Sequence, residues 1–480
     1  MKKIIGSTLA LALFLPALAN AELFKNLKVG GQLDVQATSA RNVTDFVTRM
    51  TPPAPAASPS VNNNDRIGHT STRLMVKLDW DLLDDVHSRL TLVKGAGAGN
   101  ARVYGAGSDN ITAVEATTFV EEAFAKVDKL FGFADMTMGR QFIGAPGDMI
   151  VWLGPKDNYG LTVTALDAFR FDWSGEFAAV MGYAGRVVDA NLAANANGSA
   201  STVDAHGLLL MLNKNENVKG TAYLHHVVTH MTGGLGIDNA NPAGAIGGKN
   251  SHLYVAGLKS NLTFGGFMAA IEFAKNFGQD RTTFANAAGG ARSVSYTGHA
   301  YKLNLGYKAE VQDVGVFNPW GEYALATGDN NFDFAGNRNF QAVSSDYRPG
   351  AIYGRFDNNA AVTLGANVTG FQGAENGFSN RRIWGVGFKA TPAGLNKLTT
   401  GLQFYRYAFD RLPTNANGQR FSRNIGSEVD VTGEWKHSEN VGLKATVGSF
   451  KPGAYVADVK GPGAALNPVF MTALDVSIKF

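Results

Sequence analysis

From Glu22 to Phe480 one pattern repeats: two alternating apolar/polar runs, a very short turn, then a long stretch rich in Gly, Asn and Ala. A period of two puts successive side chains on opposite faces of a strand, and no run keeps helical periodicity beyond about two turns. The first strand is expected near 27–38, where Leu27, Val29, Leu33, Val35 and Ala37 alternate with Lys28, Gln32, Asp34 and Gln36. Eight pairs follow: 70–80 with 86–94, 117–128 with 134–141, 163–173 with 177–186, 203–212 with 218–228, 252–260 with 265–277, 295–309 with 316–327, 382–391 with 398–407, and 427–436 with 441–450. Their turns are expected at Asp84-Asp85, Lys129–Phe133, Ser174-Gly175, Asn213–Asn217, Asn261, Gln312-Asp313, Pro392–Lys397 and His437–Asn440. The last strand is 469–480, where Phe470, Leu474, Val476, Ile478 and Phe480 share one parity and Met471, Ala473, Asp475, Ser477 and Lys479 the other.

The total is eighteen strands, an even number, so both ends of the chain fall on one side with the short turns. Short periplasmic turns and long outer loops are the habit of bacterial outer-membrane barrels, and closure removes the exposed edge a terminal strand would leave. The expected fold class is therefore all-β: a transmembrane antiparallel barrel of about 18 strands with short periplasmic turns and long extracellular loops. A propeller or sandwich would need one regular repeat or a buried two-sheet core, and neither is present. Trp80, Trp173, Trp435 and Phe480 lie near strand ends, as an interfacial girdle requires.

The start of the chain agrees. Lys2 and Lys3 precede an apolar run from Ile4 to Ala19 and the small-x-small site Ala19-Asn20-Ala21, the layout of a secretory signal. The expected organisation is a signal peptide over 1–21 and a single barrel domain over 22–480. No later segment offers 18 uninterrupted apolar residues for a helical span. Cysteine is absent, which excludes a disulfide-stapled fold, a thiolate metal site and a Cys nucleophile. The formal charge of +3 falls to +1 once Lys2 and Lys3 leave with the leader, too little for a nucleic-acid partner.

If apolar side chains face lipid, their alternates face a lumen too wide for side chains to fill. The expected pore-lining set is Arg73, Lys77, Arg89, Arg140, Arg170, Asp172, Lys219, Glu272, Lys302, Lys389, Glu428, Asp430, Glu434 and Lys444. Both signs are present, so a mild anion preference is the most that is expected. The long irregular segment 328–380 is the candidate to fold inward and narrow the pore.

Residues 118–148 run Thr-Phe-Val-Glu-Glu-Ala-Phe-Ala-Lys-Val-Asp, then Met-Gly-Arg-Gln, then Gly-Asp. This resembles the alginate-export family of outer-membrane porins. Ala-Phe-Arg-Phe-Asp-Trp at 168–173, Ala-Thr-Gly-Asp at 326–329 and Tyr-Gly-x-Phe-Asp at 353–357 are similar to its later segments. The resemblance implies an 18-stranded barrel and places Arg140 and Gln141 near the pore, which for Arg140 requires a bulge at Gly139 because Met136 and Met138 share its side. That family's exporter has an arginine-lined conduit, and the mixed charges here depart from it.

Other sites are weaker. Asp329, Asn331 and Asp333 have the acidic spacing that opens a Ca²⁺ loop, without its Gly and distal Glu. Adjacent His225 and His226 face opposite ways in a strand and cannot share one ion. No Gly-x-Ser-x-Gly elbow occurs, and no catalytic or cofactor site is expected. The expected function is a water-filled porin for passive diffusion of small hydrophilic solutes. The alternatives are a substrate-specific polysaccharide or oligosaccharide channel, and a plugged barrel acting as a surface adhesin or scaffold. Expected partners are outer-membrane lipid, hydrophilic or anionic solutes, and the barrel-assembly machinery, which would read the terminal strand through Phe480; a homotrimer is a further possibility.

Overall fold

The computed structural model describes residues 25–47, 65–94, 118–188, 200–215, 217–232, 250–280, 294–329, 336–356, 364–365, 378–412, 421–461 and 466–480. The expected leader, Asn331 and Asp333 lie outside these residues.

Eighteen long strands form one sheet. They are β1 (Lys25–Arg41), β2 (Arg66–Leu83), β3 (Val86–Lys94), β4 (Thr118–Leu130), β5 (Ala134–Gln141), β6 (Leu166–Ser174), β7 (Ala178–Val188), β8 (Ala200–Asn215) and β9 (Val218–Thr232). They continue as β10 (Ser251–Phe264), β11 (Phe267–Asp280), β12 (His299–Tyr307), β13 (Gly315–Ala326), β14 (Arg381–Pro392), β15 (Leu398–Ala408), β16 (Asn424–Lys436), β17 (Val441–Pro452) and β18 (Val469–Lys479). Each is antiparallel to its sequence neighbours, and β1 pairs with both β2 and β18, so the sheet closes into a barrel. At the seam Gly31 and Phe480 exchange backbone hydrogen bonds of 2.8 and 3.1 Å, and the Phe480 ring lies where a Cβ at position 31 would be.

Alternation and turn chemistry place these strands where the sequence puts them, with three differences. The β10–β11 turn is at Gly265-Gly266, not Asn261; both glycines have positive φ, which a two-residue hairpin turn demands, and Asn261 stays paired with Lys219 and Ala270. The sixth strand starts at Leu166, because 163–165 belong to an inward loop. The stretch 295–309 is broken into Val294–Tyr296, β12 and Ala309–Val311.

The outer wall is apolar. Phe169, Leu208, Leu258, Leu305, Val386, Leu402 and Val431 all point out and are exposed. Phe131, Phe133, Phe177, Phe264, Phe267 and Phe480 gather at the short-turn end. Such a wall facing water would be an unsustainable exposed patch, and facing lipid it is the ordinary exterior of a membrane barrel with an aromatic girdle. Among the described residues no helix is long and apolar enough to cross a membrane.

The interior is not uniformly wet. Towards the long-loop end, Val43, Phe46, Ile352, Tyr353, Phe356, Tyr407, Phe450, Tyr455 and Met471 are buried in one apolar cluster. Loops fill a lumen that strand side chains alone could not.

Candidate channel lumen

Two loops enter the lumen. The first, 142–165, enters the lumen because β5 stops after eight residues while its partner β4 runs for thirteen. The second, 336–356, comes from the long connection after β13. Inside the barrel they pair through a parallel bridge at Val151 and Ser344. Trp152 N–H donates to Ser344 O (2.7 Å), Ser344 N–H to Ile150 O (2.9 Å) and Asp346 N–H to Asp148 O (2.9 Å). Gly147 N–H donates to Asp346 Oδ2 at 2.9 Å, and Tyr159 N–H to Arg355 O at 2.9 Å.

The wall holds this unit on several sides. Lys259 of β10 meets Asp148 at 2.7 Å. Burial works against charge on Asp148, but the Lys259 ammonium and the Ile150 and Val151 N–H groups outweigh it and hold the carboxyl below its ordinary range. Tyr347 donates to Glu322 of β13, and Lys302 of β12 sits over its ring. Glu428 of β16 accepts the N–H groups of Ile352 (2.6 Å) and Tyr353 (3.0 Å) and the Tyr407 hydroxyl (3.1 Å). Its neighbour Asp430 accepts Ala351 N–H at 3.0 Å. Arg355 forks onto Asp475 of β18 and also reaches Thr38 of β1. Arg73 of β2 pairs with Asp34 at 2.7 Å and donates to the carbonyls of Lys156 and Leu161. Backbone groups in the lumen cannot be left unpaired, and these wall side chains satisfy them.

The expected pore-lining residues therefore divide by position. Arg73, Glu272, Lys302, Glu428 and Asp430 point inward but lie beneath the loops, and four of them are buried. Glu272 accepts the Tyr223 hydroxyl at 3.0 Å. Lys77, Arg89, Arg170 and Asp172 line an open polar cavity of about 900 Å³ on the short-turn side of the loops. Glu434 and Lys444 line a second, of about 690 Å³, and Lys389 reaches Glu434 at 3.8 Å. Lys219 shares the parity of buried Tyr223 and His225.

Arg140 is the exception. Gly139 has φ of 120° but pairs with Phe124 without a register shift, so no bulge turns the strand. Arg140 keeps the parity of Met136 and Met138 and stands opposite Asp167, on the side of exposed Phe169 and Phe171. It bonds Asp167 at 3.2 Å on the outer rim, while Gln141 points in and is buried. Asp329 spends a carboxylate oxygen on Arg338 N–H, and His225 and His226 face opposite ways, His225 toward Tyr183 and His226 stacked on Tyr254.

In both cavities most charges meet an opposite charge. Arg89 meets Asp79 at 2.6 Å and Arg170 meets Asp172 at 2.7 Å. Lys126 bridges Asp128 and Asp135, both at 2.7 Å, and His87 lies between Asp81 (2.6 Å) and Asp128 (3.0 Å). The sequence reading missed the first loop with its Asp148, Lys156 and Tyr159; the signal was the Gly144-to-Gly160 stretch, where turn residues enclose the apolar run Met149–Leu153.

This fold is similar to solved structures from Pseudomonas aeruginosa. OccK8 (OprE) is 11% identical, the match covering 95% of this chain and 99% of that one, with a TM-score of 0.52. OpdQ is 10% identical over 96% and 99%, with a TM-score of 0.52. The outer membrane protein opdK is 12% identical over 94% and 99%, with a TM-score of 0.51. At such identity the likeness is one of fold. No family model and no curated protein match the sequence, so the alginate-export resemblance finds no support, although the 18-stranded barrel it implied is the one observed.

Proposed function

We propose that the chain is an outer-membrane channel, not an enzyme, through which small hydrophilic solutes pass. The observation that carries this reading is the pair of polar cavities, about 900 and 690 Å³, bounded by two inward loops inside a closed barrel with an apolar outer wall. A polar interior behind a lipid-facing wall serves passage, and an inward loop sets what passes. The fold it shares with the outer membrane protein opdK supports the location. The paired charges support weak charge selection, with a mild anion preference at most.

Purified protein in planar bilayers should open in discrete steps, and shortening 336–356 should enlarge the step. An unchanged step would remove that loop from the constriction. No conductance at all would favour the plugged scaffold, a reading that the wall contacts of both loops also support. A channel for long polysaccharides would instead let chains through while excluding ions as they pass. Recognition of the terminal strand by the assembly machinery rests on the seam at Gly31 and Phe480; Phe480→Ala should slow insertion without altering the step of inserted channels. A homotrimer would show as a threefold mass in native electrophoresis.

A further inference from the structure

We propose that the larger cavity is a binding station for uncharged saccharides. The inference rests on the channel reading and names its solute class. The cavity lies under the first loop and against β1 to β6. It has two kinds of lining. Phe142 and Trp152 come from the loop, with ring centroids 6.3 Å apart, and Phe124 comes from the wall of β4. Beside them stand Asp79 with Arg89, whose guanidinium lies over the Phe124 ring at 5.7 Å, and Arg170 with Asp172, Glu122 and Lys77. A sugar ring has the matching anatomy: C–H faces that are apolar, and an equatorial edge of hydroxyls. Aromatic faces cover the first, and carboxylates and guanidinium groups bond the second.

Two details select an uncharged solute with donors. The Arg89–Asp79 and Arg170–Asp172 pairs are already neutral, so neither offers a net charge to an ion. Thr91 spends its hydroxyl on one oxygen of Glu122 at 2.6 Å, which leaves the other oxygen of that carboxylate free to accept a second hydroxyl. A sugar hydroxyl supplies that donor and a carboxylate does not. A site of this size with aromatic walls and a few placed polar groups suits one small molecule.

The test is interruption of ion current through single channels in potassium chloride, with maltose, sucrose, glutamate or arginine added. Maltose or sucrose should interrupt the current at concentrations at least about tenfold below those needed of either amino acid. Phe124→Ala should weaken the sugar effect by about tenfold, leaving the potassium chloride step and the amino-acid response in place. Equal or stronger interruption by glutamate or arginine, or full sugar sensitivity in Phe124→Ala, overturns the proposal while the channel stands. Should the protein not conduct, the channel reading fails instead, and calorimetric titration of the barrel with maltose in a detergent without sugar headgroups decides the site. Heat of binding lost in Phe124→Ala keeps it, and no heat overturns it.

Discussion

Two halves of one lumen are built on opposite principles. On β2, Arg73 and Lys77 point the same way two rows apart. Arg73 is 1% exposed, paired with Asp34 and capped by loop carbonyls, whereas Lys77 faces the open cavity. On β16, Glu428 and Asp430 are fully buried and hold the second loop, whereas Glu434 lies between Lys389 and Lys444 in the wet half. On β18, Met471 and Ala473 are inward and packed, while Asp475 and Ser477 line a cavity. The same inward parity thus serves a protein-like core at one end and a solvated wall at the other. Charge in the first holds loops in place, and charge in the second lines solvent, most of it in pairs along the wall.

Substitution at Arg73 tests this contrast most strongly. Arg73→Ala leaves Asp34 buried without its cation, a loss of about 3–5 kcal/mol, and should lower the thermal midpoint clearly in detergent. Lys77→Ala should move stability by about 0.5 kcal/mol or less. Equal effects would dissolve the distinction between the halves. The pair on β16 comes next. Glu428→Ala strands two loop N–H groups at about 1–3 kcal/mol each, so the second loop should loosen and the conductance step should rise or flicker. Glu434→Ala should leave the step unchanged and shift only the reversal potential, toward anions.

Acid gives the smallest and most selective effect. Asp148 has a lowered pKa, so its hold on Lys259 is present above the ordinary carboxylate range and fades as pH falls through the lowered value. Asp65, at the outer rim, is pushed up to about 6 by burial, against the N–H bonds it accepts from Thr44 and Asp45. Its folded pKa is raised, so its contribution is greatest in acid and is lost as pH rises through about 6. Hydrogen exchange, corrected for intrinsic rate, should show 42–47 more protected at pH about 5 than at about 7, with 148–153 unchanged over that window. Protection that moves together in both segments would count against separate anchors.

The barrel was legible because alternation is a strong signal and short turns carry their own residues. The strand number, and most of the strand ends, follow from it. Asn261 misled because polarity suggested a turn, while the backbone needed the positive φ that Gly265 and Gly266 supply. Arg140 misled because a motif was given precedence over parity. The loops were half legible. The length of 328–380 announced a segment with room to enter, but the entry of 142–165 depends on β5 ending early at Gln141, and a strand's end is its least marked feature. Apolar inward residues such as Phe450 and Met471 could not be assigned to a packed loop from alternation alone, because lipid and protein select the same side chains.

The bridge between Val151 and Ser344 has a mechanical consequence. Two loops that share backbone bonds, and that also clasp through Asp346, Lys156 and Arg355, form one rigid cross-beam, not two independent gates. Current fluctuations in such a channel should switch between two levels with a single relaxation time. Loosening either loop should alter the motion of the other, because the beam moves whole.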